Sequence, residues 1–355
     1  MPSKPTFHVP ASAPHDPAAP PRRGALVRGA ERGAPVLRIG FLLLPGFALL
    51  SYGCAMEPFR AANDLAGTTL YEWVHISPDG QPVRASNGVG IMADRGLARP
   101  GQIDMLFVCA GGNPAEFEDP ATLAWLRAEA ARGIRIGGIS GGAYILARAG
   151  LLQGYRCTAH WDYVPAMAER FPGLTLTGAL YEVDRDRCTC SGGTAALDMM
   201  LALIGAAQGR PLARAVAEWF LHTRPRAGDE PQRMGLPERY DTNHPSLLAA
   251  LEQMERAIED PLPREALATS AGLSVRQLER LFRGQLGLTI GAHYLGLRLD
   301  HARRLLRQTS LSVLQVAMAC GFVSAAHFSR AYAARFGRSP RQDRRGEVTA
   351  ARPTR

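Results

Sequence analysis

From residue 36 onward, short apolar runs alternate with longer stretches in which apolar residues recur every three or four positions. The apolar runs predict strands at Val36–Leu44, Tyr71–Ser77, Ile103–Cys109 and Ile134–Ile139. The periodic stretches predict helices at Leu49–Leu65, Thr122–Arg132 and Gly192–Gln208. Strands and helices that alternate in this way predict an α/β domain built on a parallel sheet. Such sheets bind ligands beyond the carboxyl ends of their strands, so the site is sought there.

Residues 245–345 are helical in pattern almost throughout and contain two similar helix–turn–helix segments. The first has helices at Glu265–Ala271 and Ser274–Arg283, and the second has helices at Val313–Cys320 and Ser324–Phe336. The serine that opens each second helix is the expected N-cap. Between the two segments, apolar residues at helical spacing predict a rigid connecting helix, formed around Leu295, Leu299, Ala302, Leu305 and Leu306.

A duplicated helix–turn–helix is suited to placing two recognition helices in successive major grooves, about 34 Å apart. The apolar side chains of the second helices are expected to pack inward: Leu278, Leu281, Phe282, Phe328, Tyr332 and Phe336. The remaining residues are the candidates for DNA contact: Ser274, Arg276, Gln277, Arg280, Arg283, Ser324, Ala325, His327 and Arg330.

Side-chain chemistry predicts different roles for the two units. Arginine and glutamine pair with the edges of guanine and adenine, whereas Ala325 offers at most a contact with a thymine methyl group. The first unit is therefore expected to carry more of the base specificity. Arg283, Arg298 and Arg303 are expected to contact phosphates and not bases.

Length and composition favour two globular domains, because the chain has 355 residues, of which 46% are apolar and 21% are charged. Residues 36–244 hold 19 basic and 21 acidic side chains, while residues 245–355 hold 17 basic and 9 acidic ones. A basic end on a nearly neutral body indicates an anionic partner for that end, with double-stranded DNA as the first candidate. The predominance of arginine over lysine suits phosphate and guanine contacts, and it fits a GC-rich genome equally well.

The segments outside the two domains are predicted to be tails and a linker. Residues 1–35, rich in proline and alanine, and residues 346–355 are predicted to be disordered, and residues 225–244 are predicted to form a linker that is exposed over Pro225–Arg239. The most apolar run, Phe41–Leu50, is too short to span a membrane. Six cysteines without paired spacing indicate neither a zinc site nor a disulfide framework, so a cytoplasmic protein without metal or cofactor is expected.

A Gly-x-Ser-x-Gly pattern, formed by Gly138, Ser140 and Gly142, lies between a predicted strand and a following helix. Such a turn presents a serine hydroxyl above a helix N-terminus. A serine nucleophile also needs an adjacent base, for which His160 with Asp162 behind it is the candidate. Their order and spacing differ from those of α/β hydrolases. Two interpretations stay open: a binding site, and a hydrolase that uses Ser140.

The body resembles the DJ-1/PfpI superfamily of the class I glutamine amidotransferase-like group, with Ser140 at the elbow position that the enzymes of this family fill with cysteine. Further stretches at Ala147–Leu152, Thr158–Trp161 and Cys190–Asp198 are similar to those of GlxA-type transcriptional regulators. Within that family, the subgroup that controls arginine, glycine betaine or carnitine catabolism is nearest. The resemblance implies a flavodoxin-like α/β sandwich over residues 36–224.

The basic end resembles the AraC/XylS family in the stretch Gly321–Arg330 and the following Phe336–Pro340. Ile290 departs from this family, because it replaces the proline that usually follows the Gly-x-(Ser/Thr) turn. The resemblance implies an all-α DNA-binding domain over residues 245–345 with two helix–turn–helix motifs.

The resemblance also assigns residues to a ligand site. Glu57 matches the acidic residue that faces the elbow side chain, although it fits a surface helix position equally well. The N–H groups after the third strand suit a carboxylate or form a plain turn, and the aromatic pair after Thr158 lines the pocket or packs in the core. The ligand-site candidates are Glu57, Gly111, Gly112, Ser140, Gly141, His160 and Trp161. An acid, an indole and free N–H groups suit a small zwitterionic metabolite.

The basic end and the resemblance together predict a cytoplasmic transcription regulator, expected to be an activator and not an enzyme. Its expected partners are double-stranded promoter DNA, a small zwitterionic metabolite and RNA polymerase. The resemblance further implies a homodimer formed through the body. A hydrolase that acts through Ser140 is the alternative.

Overall fold

The structure is a computed structural model that describes residues 35–309 and 311–344, so the predicted tails lie outside the described residues apart from Pro35. Its strands in these ranges are β1 (Leu37–Leu43), β2 (Tyr71–Ser77), β3 (Val83–Arg84), β4 (Gly90–Ile91), β5 (Arg95–Gly96), β6 (Met105–Ala110), β7 (Arg135–Ser140), β8 (Arg156–Cys157), β9 (Thr175–Leu176), β10 (Tyr181–Asp184) and β11 (Arg187–Cys190).

The helices follow the strands in two groups. Those of the first part are α1 (Leu49–Ala66), α2 (Pro120–Ala131), α3 (Gly142–Arg148), α4 (Val164–Arg170), α5 (Ala195–Gln208) and α6 (Arg210–Trp219). Those of the second part are α7 (Leu236–Tyr240), α8 (Pro245–Arg256), α9 (Arg264–Ser270), α10 (Val275–Leu286), α11 (Ile290–Gln308), α12 (Val313–Ala319), α13 (Ala325–Phe336) and α14 (Pro340–Arg344). Over the described ranges, none of these helices has the length and apolarity needed to cross a membrane.

A seven-stranded sheet forms the centre of the sheet domain, which we define as residues 35–224. Its strand order is β10-β11-β7-β6-β1-β2-β5, and all neighbours are parallel except β10, which runs antiparallel to β11. The four strands predicted from apolar runs are β1, β2, β6 and β7, so the predicted α/β class is confirmed.

Both faces of the sheet are covered by helices because successive strand residues point in opposite directions. Phe41 and Leu43 belong to the cluster that the sheet forms with α1, α5 and α6. Leu42 and Leu44 belong to the cluster on the other face, with α2, α3 and α4. All four side chains are essentially inaccessible to solvent. This sandwich leaves the carboxyl ends of the parallel strands along one open edge.

The helical domain, residues 236–344, has two apolar clusters that share one helix. In the first, Leu278 and Phe282 of α10 pack with Tyr294 in the N-terminal half of α11. In the second, Phe328 and Tyr332 of α13 pack with the C-terminal half of α11. The apolar faces predicted for the two helix–turn–helix units therefore face inward, and α11 is the predicted connecting helix.

Side chains cap the first turns of α10, α11 and α13, and at α10 and α13 the cap is the serine that the sequence predicts. Ser274 and Gln277 form a reciprocal capping box at α10, with Ser274 Oγ accepting from the Gln277 N–H at 3.3 Å. Ser324 caps α13 by accepting from the His327 N–H. Thr289 caps α11, and Ile290, which stands where proline is usual, is buried at its first turn. The exchange of proline for isoleucine therefore leaves the start of α11 helical.

A buried carboxylate ties the end of the helical domain to α11. Asp343 of α14 accepts hydrogen bonds from Tyr332 Oη at 2.6 Å and from Arg303 and Arg307 at 3.1 and 2.6 Å. Burial raises the pKa of Asp343, but the hydrogen bonds from Tyr332 and Arg307 outweigh this effect and hold the pKa below its usual value. Burial and the same carboxylate raise the pKa of Tyr332.

The predicted linker is held more tightly than its composition suggests. Arg226 binds the fully buried carboxylate of Asp198 on α5 through its backbone N–H and its guanidinium, at 2.8 and 2.6 Å. The carbonyl oxygen of Gly228 accepts from the Leu180 N–H at 2.7 Å. Gln232 Nε2 donates to the carbonyls of Ala159 and Ala179. Residues 226–232 are therefore attached to the sheet domain.

We predict that Asp343→Ala destabilises the helical domain by about 3 kcal/mol, because the buried hydroxyl of Tyr332 loses its acceptor and Arg303 and Arg307 lose their shared counter-charge. Asp300→Ala is the matched control, since Asp300 and Arg335 form an exposed pair that contributes about 0–1 kcal/mol. Hydrogen exchange of the α13 amides measures both changes. Equal protection in the two variants would contradict the prediction.

Candidate functional site

The Gly-x-Ser-x-Gly segment forms the predicted sharp turn between β7 and α3. Ser140 has φ of 56°, in the left-handed region that side chains other than glycine rarely adopt. A Cβ atom added to Gly142 would lie only 1.9 Å from the carbonyl oxygen of Val108, so only glycine fits there. The chain therefore requires this turn conformation, which holds Ser140 at the carboxyl edge of the sheet.

The Ser140 hydroxyl is enclosed and not presented to a wide pocket, since only 6% of the residue is exposed. A Cβ atom on Gly192 would lie 2.9 Å from Ser140 Oγ and 3.0 Å from Ser51 Oγ, so two hydroxyls flank the same point. Ser51 Oγ also accepts from the Gly193 N–H at 2.7 Å. Ser51 is a site residue that sequence reasoning missed, because a serine in the first turn of a helix carries no distinctive signal.

Glu57, which the resemblance places opposite the elbow, has a partner on its own helix. Its carboxylate is paired with Arg60 at 2.6 Å, one helical turn further along α1, and about two-fifths of its side chain is exposed. Ser51, almost two turns earlier on the same helix, lies near Ser140. The pairing with Arg60 fits the surface interpretation of Glu57, and its place opposite the elbow stays a prediction.

A base for Ser140 is not assembled. His160 accepts the backbone N–H of Asp162 through Nδ1 at 3.2 Å, and its ring packs against Trp161 and Tyr163. Among the described residues, no side chain forms a hydrogen bond with the Ser140 hydroxyl. Burial lowers the pKa of His160, and nearby Asp162 offsets only part of this effect. Cys190, on the strand β11 beside this turn, is fully buried, which raises the pKa of its thiol to about 12 and keeps it protonated.

The glycine candidates meet at the edge of the sheet. A Cβ atom on Gly141 would lie 3.3 Å from the backbone nitrogen of Gly111, so the ends of β6 and β7 are in contact. The carbonyl oxygen of Gly112 accepts from Tyr163 Oη at 3.1 Å. This hydrogen bond joins the glycine turn to the loop that carries His160. Backbone N–H groups at this edge are suited to a carboxylate.

Trp161 lies at the outer end of this edge and is already covered by cations of the protein itself. The guanidinium carbons of Arg233 and Arg304 lie 4.8 and 5.7 Å from its ring centre. Its neighbour Asp162 accepts a hydrogen bond from Gln308 at 2.8 Å. The structure therefore places the indole and a carboxylate side by side, but in contact with the helical domain.

The first recognition helix, α10, presents its polar candidates to solvent. Ser274, Arg276, Gln277 and Arg280 are all exposed, opposite the buried face of the helix. Neither Arg276 nor Arg280 has a hydrogen bond or ion pair with another described residue. Arg283 is exposed but pairs with Glu279 at 3.2 Å. Two guanidiniums are thus free on one face, which suits a groove of DNA.

The second recognition helix, α13, has a smaller polar surface. Ser324, His327 and Arg330 are exposed, and Ala325 is half-buried. The ring of His327 contacts Phe322 edge-on. Arg330 makes no hydrogen bond or ion pair to the described residues. α10 therefore exposes two free guanidiniums and a glutamine, whereas α13 exposes one free guanidinium and a histidine. The sequence indicates the same difference.

Two arginines expected at phosphates are instead used inside the domain. Arg298 donates to the carbonyl oxygens of Cys320 and Gly321 at 2.7 and 2.6 Å and lies over the ring of Phe322. Arg303 binds Asp343. Burial lowers the pKa of Arg298. Both guanidiniums are therefore used in contacts within the domain, which helical spacing could not indicate, and the phosphate contact expected for them stays a prediction.

Comparisons with known proteins match both parts of the chain. A model described as the DJ-1/PfpI family matches residues 38–206, and one described as a helix-turn-helix domain matches residues 267–346. The chain is 47% identical over 311 residues to the HTH-type transcriptional regulator GlxA of Rhizobium meliloti, covering 87% of this chain and 96% of that protein. It is 47% identical over 304 residues to the HTH-type transcriptional regulator CdhR of Pseudomonas aeruginosa, covering 86% and 90%.

A solved structure supports the fold of the sheet domain. The THiJ/PfpI family protein from Pseudomonas syringae is 22% identical, covers 72% of this chain and 99% of that chain, and has a TM-score of 0.51. At this identity the likeness concerns the fold.

We predict that Arg298→Ala unfolds the second helix–turn–helix unit locally, because the carbonyl oxygens at the end of α12 lose their buried donor, at a cost of about 1–3 kcal/mol. Arg283→Ala, in an exposed pair, should leave stability within about 0.5 kcal/mol of the parent. Thermal unfolding of the full chain compares the two variants. An unchanged midpoint for Arg298→Ala would contradict this structural role.

Proposed function

This chain belongs to the family of HTH-type transcriptional regulators that join a DJ-1/PfpI domain to an AraC-type DNA-binding domain, and from that membership we propose that it switches a promoter in response to a small zwitterionic metabolite. The helical domain binds double-stranded promoter DNA, and the sheet domain holds the metabolite. We propose that the bound form activates transcription by contact with RNA polymerase, in the cytoplasm, as a homodimer formed through the sheet domains.

The observation that carries this proposal is the pair of recognition helices on one rigid helix. Free guanidiniums on α10 and α13 face solvent, and both units pack on the 19-residue α11. A helix of this length spans about 28 Å. That length is comparable to the separation of about 34 Å between successive major grooves. We propose that Ser274, Arg276, Gln277, Arg280 and Arg283 contact one groove, and Ser324, Ala325, His327 and Arg330 the next.

The metabolite class is proposed from the chemistry of the sheet edge. Backbone N–H groups at Gly111 and Gly112 suit a carboxylate. The N–H of Gly141 already donates to the carbonyl oxygen of Ala110 at 3.1 Å, so Gly141 contributes by bringing this turn to the end of β6. Trp161 and Asp162 suit a positively charged group, since an indole face attracts cations by about 0.5–2 kcal/mol. Asp162 takes the place that the sequence assigned to Glu57. A zwitterion such as an amino acid or a betaine carries both charges.

We propose that this domain binds its ligand without turning it over. Ser140 has the strained backbone of a nucleophile elbow, which favours a hydrolase as the second candidate. However, a serine hydroxyl requires a base, and His160 is hydrogen-bonded elsewhere. The relatives described above carry the names of regulators, which supports a binding role.

We predict that Arg276→Ala and Arg280→Ala each weaken binding to the promoter duplex by about 1–3 kcal/mol and relax base preference locally. Arg256→Ala is the control, because Arg256 is an exposed arginine on α8 that pairs with Glu252. Fluorescence anisotropy at fixed salt measures affinity, and footprinting shows which bases are protected. Equal losses in the control, or no protected promoter fragment at moderate salt, would contradict the assignment.

We predict that Ser140→Ala retains metabolite-dependent transcription, because a binding site needs no nucleophile at this turn. Loss of one hydrogen bond to the ligand would weaken binding by about 0.5–1.5 kcal/mol at most. A reporter assay measures the response, after thermal-shift screening of the full chain with amino acids and betaines identifies a ligand. Hydrolysis of that ligand by the parent protein, abolished in Ser140→Ala, would favour the enzyme instead.

A further inference from the structure

The last turn of α11 is seated on the loop at residues 158–163 of the sheet domain. Gln308 Nε2 donates to Asp162 Oδ2 at 2.8 Å, and Gln308 is buried. Arg304 Nε lies 3.7 Å from Asp162 Oδ1. On the other side, Asn113 Nδ2 caps the helix by donating to the carbonyl oxygen of Arg307. The helix that carries both DNA-binding units is thus held at the candidate ligand edge.

Two arginines contact Trp161, one from the segment that joins the two domains and one from α11. Arg233 reaches it from the joining segment, and Arg304 reaches it from α11. Burial lowers the pKa of Arg233, and the neighbouring Arg239 and Arg304 lower it further. Two like charges therefore share one indole, an arrangement that repulsion between them weakens. A single external cation could replace either of them.

This contact contains polar atoms that it does not satisfy. Arg304 Nε and Gln308 Oε1 are buried without a hydrogen-bond partner in the described chain. The 3.7 Å separation of Arg304 from Asp162 is too long for a hydrogen bond. Because a buried unsatisfied group opposes the state that contains it, these two atoms offset part of the stability that the hydrogen bonds of Gln308 and Asn113 contribute. Such a contact can open in response to a modest difference in ligand affinity.

The same loop is joined to the glycine edge. The ring of His160 packs between Trp161 and Tyr163, at centroid distances of 5.2 and 5.7 Å. Tyr163 Oη donates to the carbonyl oxygen of Gly112. These contacts connect the glycine edge to the loop that carries Trp161.

We propose that Trp161 and Asp162 form a cation site that Arg304 fills in the closed protein, and that the positive group of the metabolite displaces Arg304 and releases α11. This inference rests on the proposed function. A ligand shifts a conformational equilibrium only toward the state to which it binds more tightly. Because ligand and Arg304 compete for the same groups, the ligand favours the open state. The open state is then the one that activates transcription, and the closed contact is autoinhibitory.

Hydrogen exchange on the unmodified full chain tests the release directly. Glycine betaine and 3,3-dimethylbutyrate form one probe pair, because the second compound keeps the carboxylate and replaces the quaternary nitrogen with carbon. Arginine and citrulline form the other pair, because citrulline has an uncharged ureido group in place of the guanidinium. We expect the member of a binding pair that carries the additional positive group to increase exchange of the amides at residues 304–309, and the member without it to leave exchange unchanged. Equal effects of the two members would overturn displacement by a cation.

Two variants test the closed contact without altering any candidate DNA-contact side chain. We expect Asp162→Asn and Gln308→Ala to raise promoter affinity in the absence of probe about tenfold, within the range of ordinary allosteric coupling. Asp64→Asn is the matched control, because it removes the same charge from an exposed position on α1 and should have no effect. Thermal unfolding verifies that each variant is folded.

The outcomes separate this inference from the function on which it rests. In one outcome, the parent protein binds its promoter and responds to a probe, but the variants gain neither promoter affinity nor amide exchange at residues 304–309. That result would overturn the autoinhibitory contact alone. A parent protein that binds no promoter duplex, or that no zwitterion stabilises, would overturn the proposed function and this inference with it.

Discussion

The packing of α11 on two apolar clusters at once is the constraint on which the rest of the helical domain depends. Its N-terminal half completes the core of the first helix–turn–helix unit, and its C-terminal half completes the core of the second. Arg298 and Arg303 add bonds to the turn of the second unit and to Asp343. Because a helix is stiff over this length, neither recognition helix can move without the other. α11 also ends against the sheet domain, so a single helix links both DNA-binding units to the candidate ligand site.

Much of the architecture could be predicted because it follows from local patterns. Apolar runs mark the four central strands, and serine caps mark where α10 and α13 begin. The Gly-x-Ser-x-Gly turn was predictable because Gly142 has no space for a side chain. Short edge strands such as β3 and β8 were not predicted, since two-residue strands have no periodicity to detect.

The candidate site was predicted less completely, because its residues depend on contacts between distant segments. Glu57 was placed by resemblance, and in the structure its carboxylate forms a local ion pair with Arg60 that the sequence analysis did not anticipate. Ser51 and Asp162 were not assigned to the ligand site, because their roles arise from helix packing and from the contact with Gln308. Trp161 was expected to bind the cation of a metabolite, and the cations near it in the structure are arginines of the chain itself.

The attachment of residues 226–232 to the sheet domain limits how far the two domains can separate. Gln232 is the last residue of this described segment that is hydrogen-bonded to the sheet domain, and α7 begins at Leu236 and packs with the helical domain. A tether of about three residues keeps α11 near its docking loop at an effective concentration in the millimolar range or above. Reclosure is then intramolecular, so the speed and midpoint of the response are independent of how many copies of the protein the cell contains.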